Sequence, residues 1–280
     1  MRHHLIRIVL FIYWKLINVV WFFLTQKKEQ LILQSDYSIV VITYIDRFDT
    51  FFKPLIKKLR FCFPDTQLIV VVNGHFDVIR QNEYLINLNL FLKKYKNVKA
   101  IKFETPQSLS KLWNLGLLEA ACERVMILND DVNISPWFRS EINHSGILNE
   151  RITLMNRSWS HFMISKDIVR RVGWFDERFP AIGNEDEDYE ARLVFSGITL
   201  PTITFRQIQN IVEIPKSYSY GEHVELVNIK YVKANKEFFN SKWEISSNRK
   251  EGFKYVQILG AYLKLKNGME TPDFYDLNQI

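Results

Sequence analysis

Short runs of β-branched residues alternate with longer segments of helical spacing through the first half of the chain. Residues 37–43 (YSIVVIT), 68–72 (LIVVV), 98–103 and 124–128 (RVMIL) read as strands. The first, second and fourth are apolar enough to be buried on both faces. Residues 48–61, 77–95 and 108–122 carry helical spacing, with Pro64 and Asn73-Gly74 as breakers between elements. Strand followed by helix, repeated, predicts an α/β fold whose mainly parallel central sheet is covered by helices on both faces. The second half is less regular. It predicts strands over 152–155 and 159–165, a short helix over 166–172, a turn over 173–176, and helices over 185–195 and 224–239. Beyond Lys242 the pattern predicts no element. The organisation expected is an N-terminal helix within 1–34, an α/β domain over 35–245 and a C-terminal extension over 246–280.

Residues 5–24 (LIRIVLFIYWKLINVVWFFL) stand apart as an almost wholly apolar run, and a spanning helix takes about 20 such residues. His4, Arg7, Lys15 and Asn18 fall within roughly one quarter of the circumference at about 100° per residue. Three readings stand. The helix spans a membrane, with Lys15 near mid-bilayer at a cost of about 2.5–3.5 kcal/mol. It lies in the interface with its polar stripe toward the headgroups. Or it packs on the protein's own domain. A cleaved signal peptide is the weakest reading, because Thr25-Gln26-Lys27-Lys28 offers no small-residue cleavage site.

The 280 residues are 47% hydrophobic and 24% charged, which excludes a disordered tail, a collagen-like repeat and a multi-pass membrane protein. Cys62 and Cys122 make neither a disulfide framework nor a zinc cluster, and a reducing compartment is the simpler reading. No internal repeat is present. No GxGxxG follows the first strand and no GxxxxGK[ST] occurs, so a dinucleotide dehydrogenase and a P-loop NTPase are unsupported. The net charge of +6 is unevenly placed. Residues 1–60 hold ten Lys and Arg against four Asp and Glu, the entire excess, while the rest of the chain holds 27 of each sign. That argues for anionic lipid headgroups at one end as partner, and against nucleic acid.

In open parallel sheets, ligands bind beyond the carboxyl ends of the strands. Three such ends are polar here: Thr43-Tyr44-Ile45-Asp46-Arg47, Asn73-Gly74-His75-Phe76-Asp77 and Asn129-Asp130-Asp131-Val132-Asn133. The adjacent carboxylates Asp130 and Asp131 repel one another and need a cation or strong donors to stay ionised. Their hard oxygens suit Mg²⁺ or Mn²⁺, ions that bridge to substrate phosphates. The alternative is an Asp-rich turn leading into a helix that starts at Ser135-Pro136. Residues 184–192 (NEDEDYEAR) load a helix N-terminus with acid. The macrodipole favours this, and Asp188 with Arg192 makes an i,i+4 pair, so helix stabilisation is one reading. Five acids in six residues exceed what a cap needs. Crowding raises carboxylate pKa values, which suits a general base, so catalysis is the other.

In their order and spacing these segments resemble the family 2-type glycosyltransferases of GT-A (Rossmann-like) fold. The match runs from about Tyr37 to Gly197, with weaker agreement to Trp243. Residues 42–47 resemble the family's opening nucleotide-binding segment. VVVNG with Asp77 resembles its second-strand VVDDGS-x-D. LSKLWNLGL (109–117) resembles the segment whose Asn, here Asn114, precedes the metal strand. ILNDDV is similar to the metal motif of rhamnosyltransferase-like members, with Asn129 and Asp131 at the outer positions. HFMISKDIVRRVGWFDERF followed by EDEDYEARLVFSG resembles the acceptor-side block that ends in ED-x-D and Arg. Two departures stand out: Val72-Asn73 where acids are common, and Asn129 in place of the first acid of the metal motif.

The resemblance implies an inverting, metal-dependent transfer from a nucleotide-diphosphate sugar to a hydroxyl of a saccharide or lipid-linked acceptor, in cell-surface glycan synthesis. Thr43, Tyr44, Asp46, Arg47, Asn73, Asn114 and Asp130 would serve the donor. Lys111 would add charge there, or is an exposed helix lysine. Asp131 would be the main ligand to Mn²⁺ or Mg²⁺, with Asn129 and His223. Asp186 would act as base, with Glu185 beside it. Asp188, Trp174 and His161 would lie on the acceptor side, although Trp174 also reads as core and His161 as a structural strand-end residue. The location implied is the cytoplasmic face of an inner membrane, peripheral or held by a single N-terminal anchor, with a type II Golgi topology as the alternative. On the anchor reading, removal of residues 1–34 leaves donor hydrolysis intact. Two other classes compete: a non-catalytic nucleotide-sugar-binding or scaffold subunit, and a nucleotidyltransferase. The latter lacks its glycine-rich phosphate loop, since residues 44–49 contain no glycine.

Overall fold

The β-branched runs become the centre of one sheet. A computed structural model describes residues 2–24, 36–211, 222–266 and 272–280, apart from the side chains of 2–8, 22, 23 and 222–230. Strands β1 (Tyr37–Thr43), β2 (Leu68–Val72), β3 (Val98–Lys102) and β4 (Arg124–Asn129) run parallel. After a short β5 (Val132–Ile134) come β6 (Ile152–Met155), β7 (Ser158–Ser165) and β8 (Thr202–Ile203). The order across the sheet is β3-β2-β1-β4-β7-β6-β8, with β7 antiparallel to both β4 and β6. The expected mainly parallel α/β sheet is the one observed.

Every residue of β1 and β2 is buried. Successive side chains point to opposite faces, so Ile39 and Val41 enter one core while Val40 and Ile42 enter the other. The first core lies under α1 (Arg2–Leu24), α2 (Lys53–Cys62), α3 (Val78–Leu92) and α5 (Phe138–His144). A π-helical turn over Phe48–Phe52 leads into α2. The second core lies under α4 (Leu109–Glu119), α6 (Lys166–Val172) and α7 (Glu185–Phe195). α4 sits so close to the sheet that a Cβ on Gly116 would strike the side chain of Val40.

α1 is docked on the domain along one face. Trp14, Ile17 and Trp21, at helical spacing, are buried in the first core. Trp21 Nε1 donates to Ile134 O on β5 at 2.8 Å, and Tyr13 OH donates to Gln207 at 2.9 Å. Among the described residues no helix is long and apolar enough to cross a membrane. The reading in which this helix packs on its own domain describes one of its faces. The opposite face is exposed.

Two small sheets escape the sequence pattern. β5 pairs antiparallel with β9 (Ile208–Asn210), directly after the Asp130-Asp131 turn. Past α8 (Glu222–Lys242), strands β10 (Trp243–Ser246), β11 (Lys254–Val256) and β12 (Ala261–Leu265) form an antiparallel sheet of order β10-β12-β11. Trp243, Val256 and Leu263 pack there with Phe179, Ala191 and Phe239. A division at residue 245 would cut through β10, and Phe274, Tyr275, Leu277 and Ile280 return to the second core. Residues 246–266 and 272–280 therefore pack with the domain.

Candidate active site

The chain passes β1, β2 and β3 in one direction and then crosses back to place β4 on the other side of β1. A crevice opens where strand order reverses in this way. A cavity of about 460 Å³ lies there, beyond the carboxyl ends of β1, β2 and β4. Thr43, Tyr44 and Arg47 line it from β1, Asn73, Gly74 and Phe76 from β2, and Asn129 and Asp130 from β4. Lys111, on the first turn of α4, completes this set and donates to Gln107 Oε1 at 2.9 Å.

One arginine serves both acids of the β4 turn. Arg47 Nη1 is 2.9 Å from Asp130 Oδ1 and 2.9 Å from Asp131 Oδ2. Thr43 Oγ1 donates to Asp130 Oδ2 at 2.7 Å, and Arg47 Nε donates to Tyr44 OH at 2.8 Å. Burial pushes Asp130 up to about 6, with the guanidinium pulling the other way. Two oxygens nearby in sequence, Asn129 Oδ1 and Asp131 Oδ1, are buried with no hydrogen-bond partner. Unpartnered hard oxygens suit Mg²⁺ or Mn²⁺. Among the described residues no group of three His, Cys, Asp or Glu converges as a metal cage. A Mg²⁺-type ion does not need one, since it completes its sphere from phosphates and water. The side chain of His223 lies outside the described residues.

Asn73 is a clasp. Its Oδ1 accepts from the N–H groups of Gly74 (2.9 Å) and Gln107 (2.8 Å), and its Nδ2 donates to Gln107 O at 3.2 Å. The loop after β3 is thereby pinned across the end of β2. A Cβ on Gly74 would overlap the backbone of Thr105, so only glycine fits beneath this crossing. The acid common at this position in the resembled family could not donate to Gln107 O. Asn114 works behind the wall. Fully buried, it donates to Phe175 O and to Glu177 Oε1, each at 2.9 Å, and accepts from Phe175 N–H. It therefore holds rather than lines the cavity. Glu177 does line it, and sequence reasoning passes over that residue because a lone acid in a turn carries no pattern.

The five acids of 185–190 divide their work. Glu185 is buried and accepts from Gly183 N–H, and burial raises its pKa to about 8. Glu187 accepts from Asn184 Nδ2 at 2.8 Å and is raised by burial to about 7. Glu190 accepts from the N–H groups of Gln257 (2.6 Å) and Ile258 (3.0 Å), which ties α7 to the C-terminal sheet. Asp188 is 0% exposed. Around it Arg192 Nε stands at 2.9 Å, Lys242 Nζ at 2.6 Å and Trp243 Nε1 at 2.9 Å. Lys242 also meets Asp176 at 2.9 Å. Asp186 remains, its Oδ1 accepting from Glu187 N–H at 3.0 Å and its pKa raised by burial. The loop before α7 is wound through left-handed backbone at Ala181 (φ 55°) and Asn184 (φ 66°). Non-glycine residues held there are strained, and such strain concentrates at functional sites. Ala181 and Ile182 of this loop line the cavity, so the acidic helix begins one short loop from its wall.

Four expected site residues stand elsewhere. Asp188 has no surface with which to touch an acceptor and is an ion-pair anchor. Trp174, also fully buried, donates from Nε1 to Tyr275 O at 2.8 Å and is core. His161 is buried on β7 opposite Leu128, and burial lowers its pKa to about 4, so it is a neutral interior ring. Asp46 pairs with Arg80 at 3.1 Å outside the cavity lining.

No family model matches the chain, and no curated protein matches it. Its course resembles solved structures of TarS from S. aureus. The crystal structure of TarS 1-349 aligns with a TM-score of 0.45 and 13% identity over 60% of this chain and 57% of that one. The same protein in complex with UDP-GlcNAc gives 0.45 and 15% over 60% and 55%, and in complex with UDP 0.43 and 16% over 60% and 57%. This chain thus spans a little over half the length of those structures.

Proposed function

We propose that this chain is an inverting glycosyltransferase of the family 2 type. It moves a sugar from a nucleotide-diphosphate sugar to a hydroxyl of a saccharide or lipid-linked acceptor in cell-surface glycan synthesis. The observation that carries this reading is the placement of two opposite chemistries. Arg47 and Lys111 bring cationic groups to a cavity at the strand-order reversal, where a diphosphate needs them. One loop away begins a helix whose carboxylates have their pKa values raised by burial, where a hydroxyl needs a base.

The acceptor oxygen attacks the anomeric carbon, Asp186 takes the hydroxyl proton, and the bond to the diphosphate breaks with its electron pair leaving on phosphate oxygen. One displacement inverts configuration, through charge at the ring like that of glycoside hydrolysis. Asp186 is favoured over its neighbours because Glu185, Glu187, Asp188 and Glu190 each satisfy another part of the fold. Asn129 and Asp131 would hold Mn²⁺ or Mg²⁺. Such an ion supplies positive charge to the departing diphosphate.

The test is thermal shift of the full chain against UDP-, GDP- and dTDP-sugars, with Mn²⁺ or with chelator, followed by transfer assays of Asp186→Asn. The reading expects stabilisation by one nucleotide. It also expects transfer to fall about a hundred- to ten-thousandfold with nucleotide binding kept. Full transfer by Asp186→Asn would sink the assignment of the base. A second reading, a nucleotide-sugar-binding subunit without catalysis, is favoured by Asn129 in the metal motif and by Arg47 already satisfying both acids. It expects the same thermal shift with no transfer from the parent chain.

A further inference from the structure

The helical layer over the first core has an outer surface that none of the described residues covers. On α1, Val9, Ile12, Leu16 and Val19 are each more than half exposed and spaced 3, 4 and 3 apart, which makes a single ridge opposite the docked Trp14, Ile17 and Trp21. On α3, Ile79, Ile86 and Leu90 are likewise more than half exposed on one helix face, a second ridge interrupted by the exposed Glu83. Phe76, 65% exposed on the rim of the cavity, lies at the head of this second helix. α2 and its π-helical turn connect the two. Phe61 meets Trp21 of α1 at 5.1 Å, while Phe48 meets Tyr84 of α3 at 5.2 Å.

The charge of this layer matches one kind of partner. α2 carries no acid and exposes Lys57, while Lys53 pairs with Asp49 and Lys58 and Arg60 turn inward to Asn133 and the Thr66 carbonyl. Lys15 is exposed beside the first ridge. Apolar ridges flanking a basic helix are the composition of a surface that enters a headgroup layer, where lysines meet phosphates and aliphatic side chains reach the acyl boundary.

We propose that this three-helix face, and not α1 alone, docks flat on an anionic lipid bilayer. α1 lies along the membrane with one face on the domain and the other on lipid. The cavity rim at Phe76 is thereby brought beside the bilayer. The proposal is independent of the transfer reaction. Vesicle binding is read without donor or acceptor, so its failure leaves that reading standing.

The test is co-sedimentation of the full chain with phosphatidylcholine vesicles, with and without phosphatidylglycerol, at low and high salt. Binding is expected only with phosphatidylglycerol and is weakened by salt. Leu16→Asp, Lys57→Glu and Ile86→Asp should each weaken it about tenfold. Because these side chains face outward, thermal midpoints should stay at the parent value. Wild-type binding by all three variants would overturn the proposal, as would equal binding to neutral vesicles. Ile86→Asp binding like the parent while Leu16→Asp fails would reduce the face to α1 and refute the three-helix form. Light scattering that shows a dimer dispersed by Leu16→Asp, with no vesicle binding by the parent, would make the face a self-association surface instead.

Discussion

The side-chain amide of Asn73 pairs with the backbone of Gln107 as one strand pairs with another, giving a bond to its carbonyl and taking one from its N–H. A carboxylate cannot do both. Asn73→Asp keeps the acceptor but leaves Gln107 O without its donor. It should cost about 1–3 kcal/mol and loosen the loop that walls the cavity. Urea unfolding reads the first effect and nucleotide affinity, expected to fall, the second. An unchanged midpoint would show that the clasp is dispensable.

Two acids two residues apart on α7 should behave oppositely. Asp188→Ala leaves Lys242 and Arg192 buried without their shared partner, at a cost of about 3–5 kcal/mol. Asp186→Asn removes a carboxylate that burial disfavours and should leave stability equal or slightly higher while transfer is lost. Denaturation midpoints set beside transfer rates for the two variants separate anchor from base. Equal destabilisation by both would contradict the division.

Stability should fall as the solution is made more basic. Glu185 and Glu187 rise from the ordinary 4.5 to about 8 and about 7, chiefly through burial. Between pH 4.5 and 8 the folded chain therefore binds more protons than the unfolded one. Their contribution is full below 4.5 and is lost as pH climbs through 7 and 8. Asp176 acts the other way. Its donors Arg178 and Lys242 outweigh burial and hold it near 2, so its contribution is present above 3.8 and is lost as pH drops toward 2. A thermal midpoint that declines from pH 5 to 8, with the decline reduced in Glu185→Gln, is the expected profile. A flat profile in both proteins would be the opposite result.

Removal of residues 1–34 should not leave a working domain. It strips Trp14, Ile17 and Trp21 from the first core and frees the carbonyl of Ile134 on the strand that follows Asp131. Trp14→Ala alone should cost about 3–5 kcal/mol. Size-exclusion chromatography of the truncated chain should show aggregate. A monomeric truncated chain with the parent's thermal midpoint would restore the detachable anchor.

Most strands and helices through residue 195 were legible because each carries its own signal, β5 and α5 excepted. A run such as YSIVVIT is buried whatever surrounds it, and the ends of such strands collect polar residues wherever a crevice forms. That reasoning found the cavity wall at Thr43, Tyr44, Arg47, Asn73, Asn129 and Asp130, and the family resemblance added Lys111. It could not see β9 or the sheet of β10, β11 and β12, whose short strands have no period of their own and exist through their pairing.

The same limit governs the acids. Five carboxylates at one helix start were visible as a group, but their separate tasks depend on partners 54 to 68 residues away in the chain: Lys242 and Trp243 for Asp188, Gln257 and Ile258 for Glu190. Sequence alone determined the sheet, the crevice and the kinds of group that gather there, because hydrophobic period and local charge are properties of neighbouring residues. The tertiary structure decided which face of α1 meets the domain, which acid anchors and which is left to react. Burial and ion pairing depend on what the folded chain brings alongside.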